Sequence, residues 1–316
     1  MSLISIVIPF RNLFQELENC IAGILNQVIE FEFEIVVLDS SDISFEKTIM
    51  NLSDQITYIR IDPNAFNHGL TRQLALKYCK GKYVVYTVQD AVPVGRKWLE
   101  NLIQPLIDNQ LDAICGQQVV LDDKAKNPVQ WFRPIDKPEI RVIEISPEIY
   151  IQKSPSQKRE LTGWDNVNAC YTKEILKKMP FVELNFGEDA FWADQALKNG
   201  LKIGYTGYAQ VNHYHHYDQI QQIVRRVIAE NMILKKTYDL DPSPYRINLR
   251  SFISIVKRIL LSKIKIFDKL YWIIYNIRIE FAYKQAYETW CSFATLNHAE
   301  EYVNKKVPQS IKNGRN

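Results

Sequence analysis

Cysteine is scarce in this sequence of 316 residues, and the five cysteines present are scattered. Their number is odd and no two of them lie close together in the chain, so neither a disulfide framework nor a thiolate zinc site is indicated. No basic, apolar leader precedes the first predicted strand, which covers residues 4–8, so the sequence shows no export signal. These absences predict a protein of the reducing cytoplasm.

Long apolar runs are absent as well. No uninterrupted apolar stretch reaches the roughly 18 residues of a membrane-spanning helix, because Lys or Arg interrupts the apolar residues 251–283 every few positions. From Gln219 onward the chain has 17 Lys and Arg against 8 Asp and Glu, whereas the part before it has 22 against 28. This basic C-terminal region favours contact with an anionic membrane surface or a second copy of the chain. A solvated face, or helices packed back on the catalytic domain, is the simpler interpretation.

Glycine-rich phosphate loops are a third absence. The chain contains no G-x-G-x-x-G motif and no P-loop, which disfavours a dehydrogenase or a P-loop enzyme. Nucleotidyltransferases open with a Gly-rich basic loop after the first strand, and Pro9-Phe10-Arg11-Asn12 is not such a loop. A bound diphosphate would need a metal and side chains such as His68 and Arg72, which lie at a predicted helix start.

Short apolar runs alternate with amphipathic stretches in the N-terminal part of the chain. Four such alternations in the first ~120 residues predict an α/β fold, with a mainly parallel central sheet between two layers of helices. Ligands of such sheets bind at the carboxyl ends of the strands, where Asp39, Asn64 and Asp90 fall. We predict one catalytic domain over residues 1–217 and a helical C-terminal region over residues 218–316.

Three carboxylates stand where chemistry could occur. Asp90 directly follows a predicted strand and could hold Mg²⁺, which binds through one or two carboxylates together with phosphate oxygens; a turn or a helix cap is the simpler interpretation. Glu188 and Asp189 open a predicted helix. They could complement the helix dipole, or one of them could accept the proton of an attacking hydroxyl group.

Histidine is concentrated at the end of the predicted catalytic domain, where three of the five histidines fall within four residues. In an extended segment His213 and His215 project to one face and His216 to the other. At most two of them could therefore bind the same ligand. Their position after the second block of strands favours coordination of a metal together with Asp90.

Seven segments resemble, in order and spacing, family 2 of the glycosyltransferases, and within it the rhamnosyltransferase-like branch. They are Ile6–Asn12, Val37–Ser41, Phe66–Arg72, Gln89–Pro93, Asn166–Ala169, Phe186–Asp189 and His213–His215. The resemblance covers roughly residues 4–217. Val88 stands where the usual D-x-D motif has its first Asp, Leu70 replaces a second glycine, and Gln73 replaces an Asn. The branch shares the loss at Val88, which we interpret as a variant of the metal site.

The resemblance implies a GT-A (Rossmann-like) nucleotide-sugar-binding domain. The residues it implies for the nucleotide sugar are Pro9, Phe10, Arg11, Asp39, Asn67, His68, Arg72, Gln89 and Asp90. A divalent metal, Mg²⁺ or Mn²⁺, is implied at Asp90, with His213, or else His215, completing the ligands of the protein. Asp189 is the implied base, with Glu188 in support, and the sugar or acceptor pocket is implied at Trp164, Asn166 and Asn168.

The implied reaction is sugar transfer with inversion, from a nucleotide diphosphate donor to a surface polysaccharide such as an O-antigen or capsule, or to a lipid-linked glycan. The donor implied is dTDP-L-rhamnose, with a UDP-hexose as the alternative. No nucleic acid partner is expected, and the expected location is the cytoplasm, including the inner face of the plasma membrane. A non-catalytic scaffold subunit that lost metal binding with Val88 is the alternative of another class. Retention of Glu188, Asp189 and the histidine pair favours the enzyme.

Overall fold

The computed structural model describes residues 3–131 and 138–304. The chain forms two compact units, the first comprising Met1–Val120 and Arg133–Tyr214 and the second Leu121–Phe132 and His215–Asn316. The short segment Leu121–Phe132, which the sequence analysis placed in the catalytic domain, thus belongs to the C-terminal unit. The end of the first unit at Tyr214 lies close to the boundary predicted at residue 217.

The first unit is built around one sheet. Among the described residues its strands are β1 (Ile4–Phe10), β2 (Phe33–Asp39), β3 (Ile56–Arg60), β4 (Tyr83–Thr87), β5 (Val92–Pro93), β6 (Ala113–Val119), β7 (Ile140–Ile143), β8 (Asn168–Thr172) and β9 (Ile203–Asn212). Its helices are α1 (Phe14–Leu25), α2 (Glu46–Met50), α3 (His68–Ala75), α4 (Trp98–Asp108), α5 (Pro147–Ile151), α6 (Pro155–Leu161), α7 (Lys173–Lys178) and α8 (Glu188–Lys198).

The strands run in the order β3-β2-β1-β4-β8-β6-β9-β5, and β7 also pairs with β9. The first four are parallel, as predicted, whereas β8 is antiparallel to both β4 and β6. The sheet is therefore mixed, because a long connection rather than a single crossover helix leads into β8. Since Thr87 pairs with Asn168, the start of β8 lies beside the carboxyl end of β4. Residues just before β8 are thereby brought to the predicted ligand edge.

The core explains why the central strands form. Along β1, Ile6 and Ile8 lie in one buried cluster and Val7 in another, so that both faces of the sheet are covered. A fully buried side chain of this size stabilises the fold by about 1.5–3 kcal/mol. The helix α1 packs its buried positions Leu17 and Ile21, one turn apart, on the first of these clusters. The carboxyl ends of the central strands are therefore held in place by packing on both faces of the sheet.

The second unit is helical, as predicted. Its helices are α9 (Ile220–Tyr238), α10 (Leu249–Leu261), α11 (Ile266–Ser292) and α12 (Leu296–Asn304). The small residues Ala282, Ala286 and Ala299 lie in a buried cluster with Val224 and Ile228 of α9. Within residues 3–131 and 138–304, no helix combines the length and apolarity that crossing a bilayer requires.

Candidate active site

Asp39 ends β2, and its carboxylate is held by the neighbouring strand and loop. It accepts hydrogen bonds from the backbone N–H of Ser41 and the hydroxyl group of Tyr58, both at 2.7 Å. The guanidinium of Arg60 lies 3.1 Å from it. Because the carboxylate is fully buried, Asp39 fixes the loop that follows β2 and shapes the edge where a nucleotide is expected.

Gln89 joins the ends of β1 and β4. Its side-chain oxygen accepts from the backbone N–H of Arg11 at 2.7 Å, and its side-chain nitrogen donates to the carbonyl of Arg11 at 3.3 Å. The guanidinium of Arg11 is exposed and lies 3.6 Å from Asp42, a weak pair that a ligand could replace. Of the other two predicted residues on β1, Pro9 is half-buried and Phe10 lies in the core.

The start of α3 is fixed by Asn67 and Gly69. The side chain of Asn67 accepts from the N–H of Leu70 at 3.0 Å and donates to Asn185 at 2.8 Å, so it caps α3 and ties it to the loop before α8. At Gly69 a Cβ atom would lie 1.9 Å from the carbonyl oxygen of Val182. Only glycine allows this approach, which brings α3 and α8 together.

Arg72 and Glu188 form a buried ion pair between α3 and α8, with Nη1 and Oε1 2.6 Å apart. The same carboxylate oxygen accepts from the side chain of Asn166 at 3.0 Å, and the ring nitrogen Nδ1 of His68 lies 3.3 Å from Arg72 Nη1. Burial acts to raise the pKa of Glu188, but the charge of Arg72, the ring of His68 and the bond from Asn166 outweigh it and lower the pKa. Glu188 is therefore held as a carboxylate, and Arg72 faces this carboxylate rather than an open surface.

Asp189 has the opposite electrostatic surroundings. Burial raises the pKa of Asp189 to about 7, and the carboxylates of Glu188 and Asp165 add to the shift. One oxygen accepts from the backbone N–H of Asn166 at 3.1 Å, which orients the group. The preceding Gly187 adopts a φ of 74°, which allows the chain to turn into α8 at this point. A carboxylate with a near-neutral pKa is suited to accept a proton.

Asp90 and His213 lie together at the carboxyl end of β4, with Oδ1 and Nε2 3.4 Å apart. The Nδ1 atom of His213 is 2.6 Å from the side-chain oxygen of Gln118. Donation from Nδ1 to this oxygen leaves the Nε2 lone pair directed toward Asp90, the arrangement that orients a metal-binding imidazole. Of the three predicted metal ligands, Asp90 and His213 therefore lie together in the first unit. A carboxylate with an imidazole suits a divalent transition metal better than Mg²⁺, which prefers oxygen ligands.

Val88 and His216 do not take part in this group. Val88 packs against the core cluster of the first unit, so the position of the usual first Asp offers no ligand. In the second unit, His216 stacks on the ring of Tyr275 at 4.9 Å.

The three residues predicted to line the sugar or acceptor pocket, Trp164, Asn166 and Asn168, are all buried. Trp164 is buried and donates to the hydroxyl group of Tyr171 at 2.6 Å. Asn168 is fully buried, accepts from Trp98 at 2.9 Å, and donates to the carbonyl of Ala209 at 2.9 Å. The side chain of Trp164 thus ties the loop before β8 to that strand, and the side chain of Asn168 ties β8 to α4 and β9.

An open pocket of about 430 Å³ is lined by Gly163 and Asp165, the two chain neighbours of Trp164. Its lining includes Asp165, Arg141, Glu139 and Gln117. The guanidinium of Arg141 lies over the ring of Tyr205 at 4.6 Å. The sequence analysis did not find these residues; Asp165, which stands between Trp164 and Asn166, could have been found from its position in that motif.

The parallel half-sheet, the Asp and His side chains at its strand ends, and a carboxylate with a pKa of about 7 on an adjoining helix are the arrangement expected of a GT-A glycosyltransferase. Glycosyl transferase family 2 matches residues 5–178, more than half of the chain. The chain belongs to this family, which confirms the predicted membership.

Two relatives act on O-antigen chains. The O-antigen chain rhamnosyltransferase RfbN of Salmonella typhimurium is 26% identical over 230 residues, which cover 70% of this chain and 69% of the relative. The O-antigen chain rhamnosyltransferase WbaN of Salmonella anatum is 27% identical over 198 residues, which cover 61% of this chain and 60% of the relative. The chain thus spans less than two thirds of the length of WbaN. Similarity to the rhamnosyltransferase-like branch is confirmed.

A solved structure shows the same fold. The mannosyltransferase PcManGT from Pyrobaculum calidifontis, in complex with GDP-Man and Mn²⁺, superposes with a TM-score of 0.53 at 15% identity. The match covers 95% of this chain and 84% of that protein. The predicted GT-A fold is confirmed by this likeness.

Proposed function

We propose that this chain transfers a sugar, with inversion, from a nucleotide diphosphate donor to a hydroxyl group of a glycan acceptor. The observation that carries the proposal is Asp189, a carboxylate with a pKa of about 7 that is oriented by the backbone of Asn166. Asp165, whose charge raises this pKa, lines the neighbouring pocket. An acceptor in that pocket would have its hydroxyl group near a base that is available at neutral pH.

The protein's own residues divide the work in the proposed reaction. The oxygen of the acceptor hydroxyl group attacks the anomeric carbon of the donor sugar while Asp189 takes the proton of that hydroxyl group. The bond from the anomeric carbon to the diphosphate breaks at the same time. Glu188 does not compete for the proton, because its lowered pKa keeps it ionised beside Arg72. Instead, its negative charge helps to hold the pKa of Asp189 high.

Metal dependence is part of the proposal. Asp90 and His213, with His215, would hold a divalent ion, Mg²⁺ or Mn²⁺, which would supply positive charge to offset that of the departing diphosphate. The imidazole in the donor set favours a transition metal over Mg²⁺. PcManGT, which is known with Mn²⁺ and GDP-Man, supports a metal in this fold.

We propose dTDP-L-rhamnose as the donor, because both relatives are named as rhamnosyltransferases. A UDP-hexose remains the alternative. The proposed acceptor is an O-antigen or another surface polysaccharide, presented as a lipid-linked glycan at the inner face of the plasma membrane. Both relatives are named for O-antigen chains, which supports this class of acceptor.

Calorimetric titration of dTDP, UDP and GDP, each with and without Mn²⁺, tests the proposal. Wild type should bind dTDP in a metal-dependent way, and Asp90→Asn should weaken that binding by about 10- to 100-fold, the usual cost of damaging a metal site. Asp54→Asn is the matched control, since this exposed Asp lies in a turn before β3. Metal-dependent binding of UDP alone would point to a hexose donor.

The same titrations decide between an enzyme and a scaffold. Val88, which offers no ligand, is the observation that favours the non-catalytic alternative. If wild type bound no nucleotide, or bound one equally well without Mn²⁺ and with Asp90→Asn, the metal-dependent mechanism would be abandoned. A non-catalytic subunit of a polysaccharide-assembly complex would then become the leading interpretation.

A further inference from the structure

Helix α11 is apolar on two opposite faces. One face is buried within the second unit and includes Trp272, Tyr275, Ala282 and Ala286. An amphipathic surface helix would present polar residues on the other side. This 27-residue helix instead repeats its apolar character there, so something other than water is expected to contact it.

The second face forms a continuous stripe, which we call the outer stripe of α11. Its members are large apolar side chains, each between 36% and 83% exposed: Ile266, Phe267, Leu270, Ile274, Ile277 and Phe281. At 3.6 residues per turn these six positions fall within an arc of about 100°, and they extend over ~22 Å of the helix. Phe267, the most exposed of the six, stands at its N-terminal end.

Helix α10 carries a second, shorter stripe. Leu249, Ile253 and Leu260 are 69%, 65% and 50% exposed, and helical geometry places them within an arc of about 40°. The basic residues Arg250 and Lys257 are exposed and border one side of this stripe on the same helix. An apolar stripe bordered by Lys and Arg is the pattern of a helix that lies in a membrane interface.

The charge of the segment indicates which surface it meets. Residues 246–279 contain a single acid, Asp268, and eight basic residues: Arg246, Arg250, Lys257, Arg258, Lys263, Lys265, Lys269 and Arg278. Anionic lipid headgroups attract such a cluster, while the apolar stripes can enter the boundary of the acyl chains. A second copy of this chain would bring like charges together and is disfavoured.

We propose that the outer stripe of α11, together with α10, inserts into the interface of an anionic bilayer. The inference rests on the proposed function in one respect, since a lipid-linked acceptor would be presented at such a surface. It assigns the contact to named apolar side chains, whereas charge alone would predict only a loose electrostatic attraction. Loss of apolar side chains should therefore weaken binding even when all basic residues are kept.

Co-sedimentation of the full chain with vesicles tests the proposal. Wild type should bind vesicles rich in phosphatidylglycerol, and raised salt or vesicles of phosphatidylcholine alone should weaken the binding. The double variant Phe267→Ser/Ile274→Ser, which leaves every charge in place, should bind the anionic vesicles at least about tenfold more weakly than wild type does. Ile149→Ser is the matched control, because Ile149 of the first unit is 56% exposed and Ile274 is 51% exposed. That control should bind as wild type does.

The outcomes are distinct. If wild type does not bind anionic vesicles, or if the double variant binds them as wild type does, the inference is overturned. If light scattering shows that wild type is a dimer, that the double variant is a monomer, and that neither binds vesicles, the stripe is a contact between copies. Nucleotide titration of the same samples without vesicles separates the two proposals: retained nucleotide binding with lost vesicle binding contradicts only this inference.

Discussion

Glu188 and Asp189 are adjacent at the start of α8, yet their carboxylates lie in opposite electrostatic surroundings. On one side Glu188 lies 2.6 Å from Arg72 and accepts from Asn166, and its pKa is lowered. On the other side Asp189 accepts the backbone N–H groups of Asn166 and Ala190, and no Lys, Arg or His of residues 3–131 and 138–304 forms an ion pair with it; burial raises its pKa to about 7. The difference teaches that neighbours in sequence take different roles when one charge is compensated and the next is not. We expect structure to depend on the first side and proton transfer on the second.

The largest expected effect comes from removing the uncompensated carboxylate. Asp189→Asn keeps the size of the side chain but cannot accept a proton, so kcat for sugar transfer should fall by about 10²- to 10⁴-fold. Nucleotide binding in the presence of Mn²⁺ should remain, since Asp189 lies apart from the proposed metal ligands in the sequence and in its contacts. Steady-state transfer assays and calorimetry measure the two effects. A variant that kept its kcat would remove Asp189 from the role of base.

Loss of the ion pair between Arg72 and Glu188 should lower the free energy of unfolding. Arg72→Met leaves Glu188 buried without its cation, which should lower the free energy of unfolding by about 3–5 kcal/mol. Replacing both partners, as in Arg72→Met/Glu188→Leu, should recover part of this loss, because no unpaired charge remains. Denaturant titration measures both variants against wild type. Equal losses in the single and the double variant would show that the cost comes from packing rather than from the buried charge.

This contrast also marks the limit of prediction from sequence. The strand ends at Asp39 and Asp90 follow from the alternation of apolar and polar residues. The partner of Arg72 does not follow in this way, because it lies 116 residues away and ion pairing leaves no periodic signal. Nucleotide contact was predicted for Arg72 from its place at a helix start and from its motif.

The sheet of the structure also differs from the predicted one because of the long connection before β8. A parallel sheet was predicted from repeated βα units, and that expectation holds for β1 to β4, where consecutive units follow one another. The antiparallel β8 brings Asp165 and Asn166 to the ligand edge from the opposite direction. Such a reversal depends on tertiary packing, which local patterning does not encode. The motif could have placed Asp165 in the site, but its effect on the pKa of Asp189 could be derived only from the structure.

The pH dependence of transfer tests the raised pKa of Asp189 directly. Its pKa of about 7 lies above the ordinary value of 3.8, so the base is mostly protonated below pH 7 and ionised above it. Activity should rise as the pH rises through about 7. The same shift makes the contribution of Asp189 to stability fall as the pH rises from about 4 to about 7. In this range the folded state binds the proton more tightly than the unfolded state does. In Asp189→Asn that component of the stability profile should disappear, as denaturant titration across this range would show.

The smallest effect, and the sharpest test of the comparison, is expected from Asp165→Asn. The carboxylate of Asp165 contributes to the raised pKa of Asp189, so its neutralisation should move the inflection of the activity profile to lower pH. The Asn can still accept the N–H of Val167, which Asp165 accepts at 2.8 Å, so the loop should keep its shape. An inflection that arose from a group remote from Asp165 would not respond to this change. A profile that moved to lower pH, with nucleotide binding unaltered, would assign the proton to Asp189; an unmoved profile would assign it elsewhere.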